Sequence, residues 1–291
     1  MDKPIGMSSN IALQNVRKIY ENCKAGYIGT LDPLASGFLP IALGKATKTI
    51  KYLENFSKEY IFAAKWGLKT STGDLEGETL AKNNNYPDVS LINKTCKSFS
   101  GEMLQTPHRF SSKKVNGVRA YELARKNKKF NLKKKKINIY KINFLKQLSQ
   151  DKTLFSVKCS TGTYIRSLAE DMAELMGTFG TLISLRRIGF GDFNKKLISL
   201  DYLLSLVHSD ERINVVKPIN LVFSNANQIV LDKNEFDHIL NGRSIKMRKD
   251  FKLGKEKTNK DFTIAKFENK IVAIGYYIDE NFYPKKLLKN L

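Results

Sequence analysis

The chain has 291 residues, 42% of them hydrophobic and 10% aromatic, with 50 Lys and Arg against 28 Asp and Glu for a formal charge of +22. That apolar content suffices for a packed core and is unlike a disordered tail; no apolar run approaches the ~18–20 residues of a membrane span, and nothing at the start reads as a signal peptide. Three widely spaced cysteines, Cys23, Cys96 and Cys159, fit neither a secreted disulfide framework nor a zinc site, so a soluble cytoplasmic protein is expected.

The basic residues divide into 40 Lys and 10 Arg, beside 24 Asn. Bidentate phosphate recognition favours Arg, so part of the lysine excess is attributed to the composition of an A+T-rich genome. A charge of +22 nevertheless attracts polyanions, and nucleic acid is the commonest of these in cytoplasm.

Ser8-Ser9-Asn10 supply cap residues, and Ala12, Val16, Ile19, Tyr20 and Cys23 recur at helical spacing, which predicts a helix over 8–23. The Gly- and Pro-rich stretch from Ala25 to Gly44 fits no regular element. Over 58–66, Tyr60, Phe62, Ala64 and Trp66 alternate onto one face of a strand. Residues 71–77 and Asn83-Asn84-Asn85 are expected to be loop, and a helix is expected over 90–99, ending before Gly101. From Lys113 to Lys146 there are thirteen Lys or Arg and one acid, Glu122. This is either a solvated face or mobile loop, or a lysine-rich arm lying along a phosphate backbone, with Lys133–Lys136 its densest part.

Residues 153–159 alternate as a strand, after which Ile165, Leu168, Ala169, Met172, Leu175 and Met176 share a helical face that stops at Gly177. Ser160-Thr161-Gly162-Thr163 is then a tight strand-to-helix turn. Arg166 falls in the helix's first turn, the end at which the helix dipole favours anions. Local helix stability does not account for an arginine there; a tertiary carboxylate partner would. A short helix over 201–207 and a polar boundary over 208–216 follow. The tail reads as a small β-rich unit: a helix over 235–240 before Gly242, a charged loop over 249–261, and strands 262–267 and 271–278 joined at Glu268-Asn269-Lys270.

The available chemistry is narrow. There is no GxSxG motif, and the three histidines, His108, His208 and His238, are scattered and read as ordinary surface or loop residues. Gly37 to Gly44-Lys45 superficially suggests a phosphate loop, but six residues intervene where four are needed, and Ala46 stands where Ser or Thr should hold Mg²⁺. No GxGxxG opens a helix after a strand, so no dinucleotide cofactor is expected. What remains is Gly26-Tyr27-Ile28-Gly29-Thr30-Leu31-Asp32-Pro33-Leu34-Ala35-Ser36-Gly37. Pro33 forces Asp32 out of the helical region, and the glycines allow sharp turns and close approach to a ligand. Asp32 is either a turn-maker or a carboxylate poised as nucleophile or base, which a basic chain can keep ionised.

At this loop the sequence resembles the bacterial tRNA pseudouridine-55 synthases, the TruB family. Asp2-Lys3-Pro4-Ile5-Gly6-Met7-Ser8-Ser9 resembles the family's opening DKPxGxSS. Gly29-Thr30-Leu31-Asp32-Pro33-Leu34-Ala35-Ser36-Gly37, with Leu39-Pro40 and Gly44-Lys45-Ala46-Thr47-Lys48, resembles its signature loop. Lys58-Glu59-Tyr60, Lys114-Val115-Asn116-Gly117, Arg119-Ala120-Tyr121-Glu122, Gly162-Thr163-Tyr164-Ile165-Arg166 and Leu185-Arg186-Arg187 follow in the family's order. The resemblance spans residues 2 to about 190, and the tail is similar to the family's small PUA-like domain.

The resemblance implies an α+β catalytic domain around a mixed, mainly antiparallel sheet over residues 1–215, with a basic RNA-gripping insertion at about 105–135, and a β-rich PUA-like domain over 216–291. It implies an isomerase that converts uridine 55 in the T-loop of tRNA to pseudouridine, acting as a monomer on the T-arm with no metal, small-molecule cofactor or membrane. Asp32 would be the nucleophile, attacking either the uracil ring or the sugar. Tyr60 would stack on the target base and take the C5 proton, and Arg166 would pair with Asp32. Tyr164 and Leu185 would line the uracil pocket, and Lys3 with Pro4 would support the site. Tyr27 stands where many members carry a His that wedges the target nucleotide out; Tyr can stack there but cannot be a cation. The family also carries an apolar strand before DKPxGxSS where only Met1 stands here, so an upstream start is expected. The alternatives are a non-catalytic tRNA-binding or folding protein and a ribosome-associated basic protein in which Asp32 only makes a turn. The joint presence of Asp32, Tyr60 and Arg166 in their motifs separates the first reading from both.

Overall fold

The computed structural model describes residues 1–191, 193, 196–223, 226–246 and 262–288; the charged loop expected over 249–261 lies outside them. Alternation in the sequence sets the centre of the molecule. A seven-stranded sheet is built from β1 (Asp2–Lys3), β2 (Ala35–Phe38), β3 (Lys58–Trp66), β4 (Gly101–Gln105), β5 (Lys135–Ser149), β6 (Lys152–Cys159) and β7 (Gly180–Phe190). Its spatial order is β1-β2-β7-β3-β6-β5-β4. Every pair is antiparallel except β2 with β7, so the sheet is mixed and mainly antiparallel, as expected.

β3 is the middle strand, and its alternate residues Tyr60, Phe62, Ala64 and Trp66 are buried. Phe62 lies opposite Phe155 in register, and their rings stack with centroids 5.1 Å apart. The Trp66 indole N–H donates to Thr153 Oγ1 at 2.9 Å, so the one polar atom of that buried ring is satisfied. Three helices of ten or eleven residues flank the sheet: α1 (Ser9–Ile19), α2 (Val89–Ser98) and α3 (Ile165–Leu175). Ser8 caps α1 and Asp88 caps α2 through their side chains. The face of α3 read from its periodicity is buried at Ile165, Leu168, Ala169, Met172 and Met176, but Leu175, expected on that face, is exposed in the helix's last turn.

Several strands depart from the expectations. The Gly- and Pro-rich stretch 25–44, which shows no period of its own, holds β2 and the paired segments Ala25–Tyr27 and Ile41–Leu43; β2 is a strand because it pairs with β1 and β7 from distant parts of the chain. The lysine-rich stretch was read as a solvated face, mobile loop or free arm up to Lys146, but residues from Lys135 onward form β5, which pairs with both β4 and β6. Ile137, Ile139 and Ile142 are buried within it. A charge count over a window hides this period-2 pattern, and the register shift between Ile139 and Lys141 disguises it further. β7 was not anticipated, because its run Gly180–Phe190 carries two arginines and two glycines. The residues between β4 and β5 hold a small hairpin of Lys114–Val115 and Val118–Arg119 and a short helix Ala120–Arg125.

The tail is a five-stranded sheet that includes the hairpin Phe262–Phe267 and Lys270–Ile278. Glu268 and Asn269 both have positive φ, which a two-residue hairpin turn requires. The helix Lys233–Leu240 opens with a capping box between Asp232 and Glu235. One apolar cluster joins this sheet to the larger one: Ile28, Phe38, Leu53 and Phe190 pack with Phe223, Ile264, Ile271 and Ile274. The polar segment before it is docked rather than free, since Arg212 donates to Ile19 O and Glu21, and Tyr20 donates to Arg212 O. Among the described residues no helix is long and apolar enough to cross a membrane.

Candidate active site

The Gly- and Pro-rich loop is pinned residue by residue. Ala25–Tyr27 pairs with Ile41–Leu43, and Ile28 N donates to Pro40 O at 3.0 Å. The buried Ser9 hydroxyl accepts from Leu31 N at 2.8 Å and donates to Leu31 O at 2.9 Å. Gly6 N donates to Pro33 O at 2.8 Å. The opening motif therefore holds the residues on both sides of Asp32. Gly37 has φ +99°, and a Cβ there would fall on the Arg187 carbonyl of the parallel neighbour β7, so only glycine fits. Lys3 is completely buried beneath the loop, where its ammonium donates to Pro4 O at 2.7 Å and Met7 O at 2.6 Å. Burial pushes the Lys3 pKa down to about 8, against the opposing charge of Asp32 and with that of Arg187 adding. Its place is in the support of the loop, not on an open substrate face.

Arg166 is where the structure converges. Its side chain is 8% exposed, and Nη2 donates to Asp32 Oδ2 at 2.8 Å and Phe110 O at 2.9 Å. Nη1 donates to Asp74 Oδ2 at 3.2 Å and Thr72 O at 3.1 Å. Asp32 is 40% exposed and Asp74 only 4%, so one carboxylate faces the opening while the other anchors the guanidinium from inside. Asp74 is itself held by Thr72 Oγ1 at 2.6 Å and Glu76 N at 3.1 Å. A buried guanidinium is tolerable only with such a full set of acceptors. Asp74 was missed because an Asp after Ser-Thr-Gly reads as a turn residue; the burial that gives it another role has no local signal.

Tyr60 is buried on β3, and burial raises its pKa, with the neighbouring Arg187 charge opposing. Arg187, to which the sequence reading gave no role, is 1% exposed and donates to the carbonyls of Phe38, Ile28 and Gly29. Leu185 is buried on β7, opposite both Ala35 and Phe62. Tyr27 packs half-buried against the main core. Tyr164 precedes α3, and both its backbone groups are clamped by the buried Gln105, with N donating to Oε1 at 2.8 Å and O accepting from Nε2 at 3.1 Å. Burial raises the Tyr164 pKa, and its phenol lies by the Ser111 hydroxyl. The insertion thus begins against α3. Ser167 Oγ also donates to Thr106 O at 3.0 Å. His108 is not the surface residue expected: it is 7% exposed, with Nε2 3.8 Å from Glu170 and Nδ1 accepting from Phe110 N at 3.2 Å. His208 and His238 are exposed.

A model for the N-terminal domain of TruB-family pseudouridylate synthases matches residues 17–165, and one for the C-terminal domain of tRNA pseudouridylate synthase B matches residues 166–224. The chain belongs to the TruB family. A protein of Ehrlichia ruminantium named tRNA pseudouridine synthase B is 38% identical over 251 residues, 85% of each chain. One of the same name from Agrobacterium fabrum is 32% identical over 296 residues, covering 99% of this chain and 92% of its own. One from a Wolbachia strain is 45% identical over 197 residues, and this chain spans 56% of its length. Among solved structures, an archaeal box H/ACA Nop10-Cbf5 complex superposes with TM-score 0.75 at 21% identity over 99% of this chain and 84% of that one, a likeness of fold. The chain is accordingly a pseudouridine synthase of TruB type with the α+β fold expected from its sequence.

In TruB-family terms the site offers an open carboxylate, a guanidinium that fixes it, and buried phenols. Among the described residues no group of three or more His, Cys, Asp or Glu is placed to hold a metal. Replacing Ser9 by Ala removes both bonds to Leu31 and loosens the segment that aims Asp32. We expect kcat to fall about tenfold with KM within twofold, read by steady-state assay on RNA; an unchanged kcat would contradict this role. On α3, burial pushes the Asp171 carboxyl up to about 6, with Glu170 and Glu174 adding and Lys134 and Gln105 opposing. Because the folded pKa lies above the unfolded value, the fold binds the extra proton between about pH 4 and 6 and loses stability as pH rises through that window. Asp171→Asn should therefore raise Tm at pH 7.5 by about 2–4 °C, the shift given by roughly 1 kcal/mol in a chain of this size. The gain should vanish near pH 4; an equal gain at both pH values would show the carboxylate charge to be irrelevant.

Proposed function

We propose that this chain isomerises uridine 55 in the T-loop of tRNA to pseudouridine, with Asp32 as the nucleophile. The observation that carries the reading is the half-open Asp32 carboxylate held at 2.8 Å by the buried Arg166. Isomerisation breaks the N1–C1′ bond, forms C5–C1′, removes the proton from C5 and places one on N1, with no net gain or loss of atoms or electrons. It needs an anion that can attack and a site that retains the detached uracil. A carboxylate fixed by a guanidinium from below and open above meets the first need. Tyr60, Tyr164 and Leu185, grouped on β3, β7 and the turn before α3, fit the second.

The target base must leave its stack at a cost of a few kcal/mol, and one aromatic stack returns about 1–3 kcal/mol. Tyr60 suits that task, and the half-buried Tyr27 on the same loop as Asp32 suits the wedge. A tyrosine phenol is protonated at neutral pH and burial of Tyr60 raises its pKa further, which favours stacking over removal of the C5 proton for this residue. The insertion lysines before β5 would grip the T-arm backbone. We assign residues 1–215 to catalysis and 216–291 to a PUA-like unit that extends the RNA surface. A non-catalytic binder has no use for a buried arginine shared between two carboxylates.

The test uses tRNA carrying tritium at uracil C5. Wild type should release tritium in proportion to the uridine 55 present, and Asp32→Asn should bind the tRNA with affinity within about threefold of wild type yet release at least 10³-fold more slowly, the order of loss seen when a reacting group is removed. Release by Asp32→Asn at the wild-type rate would overturn the assignment of Asp32, and no release by wild type would overturn the enzymatic reading.

A further inference from the structure

With Arg166 committed to its two carboxylates, a second group of cations lies between the two loops of the site. Among the described residues, Lys58, Lys135 and Arg187 form no ion pair with a carboxylate. Arg187 Nη1 lies 3.0 Å, and Lys58 Cε 3.7 Å, from where a Cβ on Gly29 would stand, three residues before Asp32. Lys58 is 5% exposed and donates to Glu54 O at 2.5 Å. Lys135 lies at the other loop: its Nζ is 2.6 Å from where a Cβ on Gly162 would stand, two residues before Tyr164. The Lys58 amine is pushed down to about 8 by burial, with the charges of Arg187 and Lys135 adding and those of Cys159 and Glu54 opposing. Glu54 acts as an opposite charge on the buried Lys58, and Arg187 is buried against three carbonyls; Lys135, half-buried at the bare backbone of Gly162, is the member of the group left for an outside anion.

The lysines around Lys135 are placed differently. Lys136 is paired with Glu102 at 2.6 Å, and Lys134 acts on the acidic face of α3 at Asp171. Strand alternation sends Lys135 to the other side from Lys136, over the turn that leads to Tyr164 and Arg166. A compact point charge on a flexible stem suits a single phosphodiester oxygen, and the absence of a side chain at Gly162 is what lets the Lys135 stem and ammonium lie against that turn.

We propose that Lys135 binds one of the two backbone phosphates flanking the flipped uridine, so that the phosphodiester becomes the ionic partner of Lys135 and seats the nucleotide over Asp32. This rests on the reading of the chain as an RNA isomerase. It separates Lys135 from its basic neighbours, and it makes the phosphate next to the target, rather than the stem at large, the point of registration.

The test uses a T-arm stem-loop, with Kd from filter binding and turnover from tritium release measured side by side. Lys135→Gln should raise Kd and KM about tenfold with kcat within twofold, and lower the slope of log Kd against log salt by about 0.7–1. Lys135→Arg should restore both, and Lys136→Gln should change Kd less than twofold. A neutral methylphosphonate at each flanking linkage in turn should, at one of them, weaken wild type to the same degree and add nothing to Lys135→Gln, the non-additivity expected of two partners in one contact. Wild-type affinity and slope in Lys135→Gln, equal losses in Lys136→Gln, or additive losses at both linkages would overturn the proposal. A wild type that binds the RNA without turnover would instead overturn the isomerase reading and leave the phosphate contact measurable through Kd.

Discussion

Arg166 is almost out of water, yet it donates to the side chains of Asp32 and Asp74 and to the carbonyls of Thr72 and Phe110. Moving a cation from water into a protein interior costs several kcal/mol unless charge and hydrogen bonds replace its hydration. Its acceptors come from three separated stretches: the glycine-rich loop, the 71–77 turn and the root of the basic insertion. Burying one guanidinium therefore requires that three loops meet at the first turn of α3. That requirement assembles the site, and it explains an arginine at the helix end where the dipole is unfavourable to it.

Rigid elements carry this convergence. β3 and β7 stand at the middle of the sheet and bring Tyr60, Leu185 and Arg187 to one end of it. α1 presents Ser9 to the backbone on one side of Asp32, while the turn before it presents Gly6 to the other. Lys3 stabilises that turn from beneath. The opening motif thus acts through the backbone of the loop, holding the carboxylate's position without touching what the carboxylate touches. Arg187 does the same from β7, where three carbonyls rather than an acid satisfy it.

Much of this was legible in the sequence, and the omissions share a cause. Asp32 stood out because Pro33 and the glycines around it fix a conformation, and Arg166 because it opposed its own helix. β3, α1 and α3 announced themselves by period, and α2 by its stop before Gly101. Asp74 and Arg187 gave no such signal: their roles depend on burial by residues far away in the chain, and a Ser-Thr-Gly-Asp turn looks the same whether or not it ends in the core. β5 was obscured because a run of lysines draws attention to charge, while Ile137, Ile139 and Ile142 carry the strand. His108 appeared ordinary because nothing local to it reveals that the insertion folds back on α3.

If Asp32 is the nucleophile proposed above, Asp74 is the inner half of a device whose outer half does chemistry. It anchors Arg166 so that Arg166 can fix Asp32, and it has no path to the RNA of its own, being 4% exposed. The most direct measurement is single-turnover pseudouridine formation by Asp74→Asn, with RNA affinity determined on the same preparation. The account predicts a rate reduced on the order of 10²-fold, the loss that misplacing a reacting group brings, with affinity within about threefold of wild type. A variant that forms pseudouridine at the wild-type rate would contradict it.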